Sequence, residues 1–255
     1  MSLNTSEVIE KLWEKLVIVP IDSAFDNAKY NFDSLVIVSP DLEKQNLNKD
    51  SFLNEFVGIL KLYKECDAAF DETITFLIPN VPKYESIKKL IYSPTGPLDR
   101  HFDDVRRFED ATKKGVKRAL QAGSKRLLLA ILDYQSHDTR NAYELYDKTS
   151  LLAAFHSLYM PLEIREDVPN KAEKAELLGF CSSKADYGFV TAIEQGRMVA
   201  RDIGGSDPER MAAPNVAKYI QSLFANNSAI KVQIIDDDNV FKKEYPLLCA
   251  VKSGC

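Results

Sequence analysis

Short, unbroken apolar runs alternate along this chain with longer stretches in which apolar residues recur every three or four positions. KLVIVPI (15–21), SLVIVSP (34–40), TITFLIPN (73–80), KLIYSP (89–94) and KRLLLAILDY (125–134) are runs of the first kind. A strand covered on both faces shows such a run, because neither face meets water. Between the last two, His101 to Gln121 predicts a helix. Val105, Phe108, Val116 and Ala119 share one stripe, Thr112 continues it, and Asp103, Arg106, Lys113 and Lys117 lie opposite. Gly123 stands where a helix end turns left-handed. A second helix is expected from about Asp138 to Leu158, burying Tyr143, Tyr146, Leu151, Leu152 and Phe155. Strands alternating with helices of this length predict an α/β fold, with a mixed, mostly parallel sheet flanked by helices.

Residues 1–165 read as this N-terminal α/β domain, 166–205 as a closing strand and linker helix, and 206–255 as the start of a further domain. EDVPNKAEKAE (166–176) is expected as an exposed connection and LLGFC (177–181) as the closing strand. Ser183 is expected to cap the next helix, with Phe189, Ile193, Ala200 and Ile203 as its buried stripe and Gly196 as a point of close packing. That helix stops at Gly204-Gly205. Asp207-Pro208 then reads as the cap and first residue of a short turn, with Glu209 in its first turn. Pro214 opens NVAKYIQSLFAN, which is expected to turn Val216, Tyr219, Ile220 and Leu223 inward. IKVQIID (230–236) is expected as a strand, VFKKEY in a short helix, and LLCAVKSGC (247–255) as the beginning of another strand. These last elements are too few to bury a core of their own, so the chain is expected to stop inside a second domain.

Composition narrows the class. Of 255 residues, 45% are apolar and 28% charged, as in ordinary globular proteins. A formal charge of −5 argues against a nucleic-acid surface covering the whole molecule. It leaves Lys113, Lys114, Lys117, Arg118, Lys125 and Arg126 as one local basic stretch, read as a solvated helix face. Cys66, Cys181, Cys249 and Cys255 lack CxxC spacing, which fits reduced thiols of an intracellular protein. The beginning, MSLNTSEVIEKLWEKL, carries Glu7, Glu10 and Glu14 and has no signal-peptide pattern. No apolar stretch approaches the roughly 20 residues that span a bilayer. The expected location is the cytoplasm, with no membrane partner.

Candidate chemistry is sparse. Gly204-Gly205 has the composition of a phosphate cradle, but a helix rather than a strand precedes it and no Walker lysine follows. A structural turn is the better reading. His137, in Ser136-His137-Asp138, follows the strongest strand, where α/β proteins place ligand loops; capping by Ser136 and Asp138 is the simpler account. Neither His101 nor His156 has an acidic neighbour at metal-ligand spacing. Asp236, Asp237 and Asp238 could together hold a divalent cation, though a solvated, helix-capping turn is the ordinary reading. No GxSxG elbow is present, and Cys66 and Cys181 read as buried thiols. Taken alone, the residues describe a scaffold with no catalytic, metal-binding or cofactor-binding residue.

One segment carries a resemblance. GRMVARDIGGSDPERMAAPNVAKYI (196–220) resembles the junction of the leucyl (cytosol) aminopeptidase family. There a helix with an Ala-Arg-Asp/Asn-Leu type ending leads through a Thr-Pro-rich turn into a helix opened by proline. Ala200-Arg201-Asp202-Ile203 and Pro214 match those features. KVQIIDDDNVFKKEYPLLCAVKSGC (231–255) resembles the family's next piece, and KKGVKRALQAGSKRLLLAIL (113–132) and ELLGFCSSK (176–184) resemble units of its N-terminal domain. The resemblance is specific from about Glu176 onward. The family's Asn-Thr-Pro-x-Asn turn is replaced by Gly204 to Glu209, which marks a divergent branch.

What the resemblance implies is a macro-like N-terminal α/β domain, a linker helix and the first elements of an aminopeptidase catalytic domain. The implied enzyme removes N-terminal residues from peptides with two divalent metals, Zn or Mn, and a metal-activated water. Its ligands lie in a Lys-Gly-x-x-Phe-Asp-x-Gly-Gly stretch and an Asn-Thr-Asp-Ala-Glu-Gly-Arg stretch. Neither occurs in this sequence. No catalytic, metal or cofactor residue therefore carries over, and the chain alone is expected to bind no cofactor and to be inactive. The resemblance also implies peptide substrates and a homo-oligomer, hexameric in the family. The alternative is a non-catalytic macro-like binding module or paralogue subunit, for an ADP-ribose-like ligand, nucleic acid or partner subunits. The acidic charge and the missing glycine-rich loop weigh against the first two of these.

Overall fold

The structure is a computed structural model that describes residues 15–21, 25–43, 47–70, 72, 74–79, 81, 87–132, 142–183 and 187–252. In chain order its elements are β1 (Leu16–Pro20), β2 (Ser34–Ser39), α1 (Leu53–Cys66), β3 (Phe76–Pro79), β4 (Lys89–Pro94), α2 (Arg106–Gln121), β5 (Arg126–Ile131), α3 (Tyr146–Leu158), α4 (Leu162–Asp167), β6 (Leu177–Ser182), α5 (Gly188–Gly205), α6 (Ala213–Leu223), α7 (Asp238–Glu244) and α8 (Pro246–Lys252). The described strands form one six-stranded sheet in the order β1-β6-β5-β2-β4-β3. Every neighbouring pair is parallel except β3 with β4. This is the expected mixed, mostly parallel sheet flanked by helices.

The unbroken apolar runs have their explanation in two-sided burial. All six residues of β2 are buried. Leu35 and Ile37 face a layer built with Phe32, Leu53, Phe56 and Leu60, so α1 covers that side. Val36 and Val38 face the opposite layer with Phe108, Val116 and Phe155, so α2 and α3 cover the other. Each such side chain contributes on the order of 1.5–3 kcal/mol by leaving water. Gly179 in β6 is required by close approach: a Cβ there would run into the Phe32 ring and come 2.7 Å from Leu128 Cδ1. Gly123 closes α2 at φ 78°, as its position predicts.

Several local expectations are corrected. The helix expected from His101 begins at Arg106, and Asp103 lies buried in the preceding turn, not on an exposed helix face. Two arginines hold it there. Ser183 does not cap α5; the cap position belongs to Tyr187, which makes no side-chain cap bond. The buried face of α5 is Val190, Glu194, Met198 and Asp202, while Phe189 is 70% exposed and Ala200 and Gly196 lie on the solvent side. The apolar stripe misled because buried acids with built-in cation partners occupy the inward positions. Cys66 is exposed, whereas Cys181 is buried as expected.

In the last segment, Tyr219 is the α6 residue that is buried; Val216, Ile220 and Leu223 are half-covered. Residues 230–236 form no strand, and residues 246–252 are helix α8 rather than strand. A β-rich run without a neighbouring ladder leaves its N–H and C=O groups unpaired. The run behind Pro246 is free to follow a proline-initiated helix of good helix formers.

Candidate functional site

The built polar centre of this protein lies where α3, α4, α5 and α6 meet. Four-residue spacing along α5 puts Glu194, Met198 and Asp202 on its inward face. Asp202 is fully buried. The Tyr159 hydroxyl donates to its Oδ1 and the Tyr219 hydroxyl to its Oδ2, each at 2.8 Å. Arg165, 4% exposed, donates from Nη2 to Oδ1 and from Nε to the Met160 carbonyl at 3.0 Å. A buried carboxylate costs several kcal/mol unless it is paired and hydrogen-bonded, and here one cation and two phenols satisfy it. Burial, reinforced by the Asp202 charge, pushes both phenols well above the ordinary tyrosine range.

Two turns earlier, fully buried Glu194 accepts from Arg201 Nη2, and Arg197 Nη1 lies 3.7 Å from its other oxygen. Burial raises the Glu194 carboxyl, against the opposing pull of both arginines. The Arg201 guanidinium also rests 4.5 Å over the Tyr159 ring, a cation–π arrangement. Arg201 and Asp202, adjacent in sequence, thus hold opposite sides of one junction.

Gly204 and Gly205 end α5 here, exposed and with open space around both. They sit at the helix's carboxyl end, which carries partial negative charge and does not favour phosphate. Asp207 Oδ1 accepts from Arg210 N at 2.8 Å and so caps the turn. Arg210 ties that turn to Glu166 and Asp167 at 2.8 and 2.9 Å. The glycine pair is a junction turn.

A second polar cluster lies after β4. Asp103 Oδ2 accepts from Arg100 Nε at 2.9 Å and from Arg100 N at 3.1 Å, and its Oδ1 accepts from Arg107 Nε at 2.8 Å. His101, beside it, is exposed and meets the Phe102 ring edge-on at 5.2 Å. His156 is exposed on α3, its pKa lowered by partial desolvation and then by Arg201, Lys113 and Arg197. His137, with Ser136 and Asp138, lies outside the described residues, as does Cys255. Asp236, Asp237 and Asp238 are exposed, and Asp237 caps α7 by accepting from Asn239 N at 2.7 Å. In the basic stretch, Lys113 pairs with Glu109 at 2.5 Å and Arg126 donates to the Tyr30 carbonyl at 2.7 and 2.9 Å.

Among the described residues, no group of three or more His, Cys, Asp or Glu side chains converges as a metal site. The two divalent metals implied by the resemblance find no fitting donor set among them. Sequence reasoning turned Tyr219 inward and picked out Asp202 by resemblance, but it missed Glu194, Arg165 and Tyr159 and the convergence of Arg165, Tyr159 and Tyr219 on Asp202. The available signal was the eight-residue spacing of two acids on one helix face, with Arg197 one turn and Arg201 two turns after Glu194.

A three-layer α/β unit that passes through a buried polar junction into a helical arm defines the class. The chain aligns with a tomato leucine aminopeptidase variant at TM-score 0.63 and 10% identity, over 89% of this chain and 46% of that one. It aligns with Trypanosoma brucei leucyl aminopeptidase in complex with actinonin at TM-score 0.61 and 12% identity, over 98% and 49%. These likenesses establish the fold. In sequence, the chain is 38% identical over 168 residues to the Caenorhabditis elegans protein "Putative aminopeptidase W07G4.4", covering 64% of this chain and 31% of that protein. No protein-family profile matches. The chain is thus similar in sequence to part of a protein named as a putative aminopeptidase and shares its fold with the N-terminal part of leucyl aminopeptidases, and it spans about a third of the length of the curated relative. Among the described residues, no helix is long and apolar enough to cross a membrane.

Proposed function

We propose that this chain forms the N-terminal portion of a leucyl-aminopeptidase-like metalloexopeptidase, an enzyme that removes N-terminal residues from peptides with a two-metal site outside these residues. In this reading residues 1–165 are the α/β domain, 166–205 the closing strand and linker helix, and 206–255 the entry to the catalytic domain. The Asp202 junction sets the direction in which the polypeptide leaves the first domain. The isolated chain is inactive, and the whole protein works as a cytoplasmic homo-oligomer.

One observation carries this reading. The α/β unit has a finished two-sided core, whereas the arm beyond it exposes its apolar residues: Leu247 at 85%, Val251 at 67% and Leu248 at 54%, with Ile230, Ile234 and Ile235 also exposed. Exposed large apolar side chains concentrated in one segment are what an interface presents before its partner is in place.

The test is the intact mass of the polypeptide from its native source, followed by hydrolysis of leucine amide with Mn²⁺ or Zn²⁺ and with a chelator. A species near or above twice 28.8 kDa, with chelator-sensitive activity, is expected. A native monomer of 28.8 kDa that hydrolyses nothing overturns the reading. Saturable binding of ADP-ribose or duplex DNA by that monomer would then favour the binding-module alternative.

A further inference from the structure

A cavity of about 90 Å³ opens between the start of β1, the start of β6, the end of α3 and the middle of α5. That is roughly three water volumes at ~30 Å³ each. Its floor is apolar and buried, formed by Phe155, Leu178 and Met198. Its charged lining residues are Lys15, Arg165, Glu173 and Lys174. Two of the cations are matched, Lys15 by Glu173 at 2.5 Å and Arg165 by Asp202. Lys174 is not. Its Nζ donates to the Ser157 carbonyl at 3.0 Å and meets no carboxylate among the described residues. Partial burial, and the like charge of Lys117, disfavour its charged form.

A half-buried ammonium with a cation nearby and no paired carboxylate among the described residues gains from an anionic ligand, and an apolar floor gains from a hydrocarbon one. We propose that this cavity binds a short-chain aliphatic carboxylate with an apolar part of about three to four carbons, as the volume allows. The carboxylate pairs with Lys174 while the hydrocarbon lies on Phe155, Leu178 and Met198. Chemistry excludes the near neighbours of such a ligand. An alcohol of the same shape leaves Lys174 without a counter-charge. An amino acid brings an ammonium toward Lys174 and Lys117, and Glu173 is already engaged by Lys15. This site is separate from the peptidase reading and stands or falls without it.

The experiment titrates the 255-residue protein with isovalerate by calorimetry, with isoamyl alcohol and leucine as parallel ligands. A ligand this small is expected to bind at one site with a dissociation constant of about 0.1–1 mM. Both parallel ligands should bind at least about tenfold more weakly, the low end of what a hydrogen bond to a charged group is worth. Lys174→Met should weaken isovalerate by the same factor, and Lys174→Arg should keep most of the affinity, with far-ultraviolet circular dichroism confirming both folds. No saturable isovalerate binding up to about 10 mM, equal binding of the alcohol, or unchanged affinity in Lys174→Met overturns the proposal. Should Lys174→Met fail to fold, the comparison of ligands on the wild-type protein decides it.

Discussion

Replacing Asp202 with alanine tests the junction most directly. The substitution leaves Arg165, whose side chain is 5% exposed, with the Met160 carbonyl as its remaining hydrogen-bond partner among the described residues. The Tyr159 and Tyr219 hydroxyls lose a charged acceptor. Removing one member of a buried ion pair costs about 3–5 kcal/mol, because the other charge stays buried without compensation. That is a large share of a typical stability of about 5–15 kcal/mol. At about 2–4 °C per kcal/mol for a protein of this size, a cost near 4 kcal/mol lowers Tm by about 8–16 °C. Urea titration and scanning calorimetry measure it. Tyr219 is the α6 residue that is buried, so hydrogen exchange should quicken across α6 while β2 and β5 stay protected. Asp207→Ala, in the exposed Arg210 cluster, serves as control and should change stability far less, because water screens that pair. The double variant Arg165→Met/Asp202→Leu should recover most of the loss, since an apolar pair removes both desolvation costs. An Asp202→Ala protein within about 1 kcal/mol of wild type, or a double variant no better than the single, refutes the argument.

Three further outcomes follow from the geometry. Burial raises the Glu194 carboxyl above its ordinary 4.5, so the folded protein keeps that proton at pH values where the unfolded chain has released it. The group's contribution is therefore greatest below the unfolded value and declines as pH rises through the folded one. Glu194→Gln should flatten that decline in urea titrations run at a series of pH values, and an unchanged slope would show that burial does not govern this group. Gly179→Ala forces a methyl against the Phe32 ring and Leu128 and should cost about 1–3 kcal/mol; a neutral result in the same titrations would mean that β6 can shift away from that wall. Burial pushes the Cys181 thiol far above its usual range while Cys66 is exposed. A thiol reagent at pH 8 should therefore label Cys66 in the native protein and reach Cys181 after denaturation, and early labelling of Cys181 would contradict the packing.

Much of the fold was legible before any coordinates. The runs at 34–40, 89–94 and 125–134 became β2, β4 and β5 within three residues at each end, because two-sided burial leaves a mark on composition that local reading can see. The junction was half legible. Ala200-Arg201-Asp202-Ile203 stood out by resemblance, and Pro214 does open the next helix. The partners of Asp202 were not legible, because Tyr159 and Arg165 lie about forty positions upstream and Tyr219 lies on another helix. The α5 stripe misled for the same reason: without its cations in view, an inward Glu194 or Asp202 looks like a solvent-facing residue.

The sequence by itself determined the α/β class, the places where strands must be covered on both sides, the glycine that ends α2 and the turn that closes α5. These depend on local propensity and periodicity, which act over a few residues. Only the tertiary structure decided which charges go inside, because a buried carboxylate is tolerable only when donors from distant segments converge on it. Tertiary context likewise settled that residues 230–236 form no strand, since a ladder partner is supplied by another segment and not by the run's own composition. It also left Lys174 without a carboxylate partner among the described residues at the edge of a cavity with an apolar floor, a placement no local pattern of charges foretells.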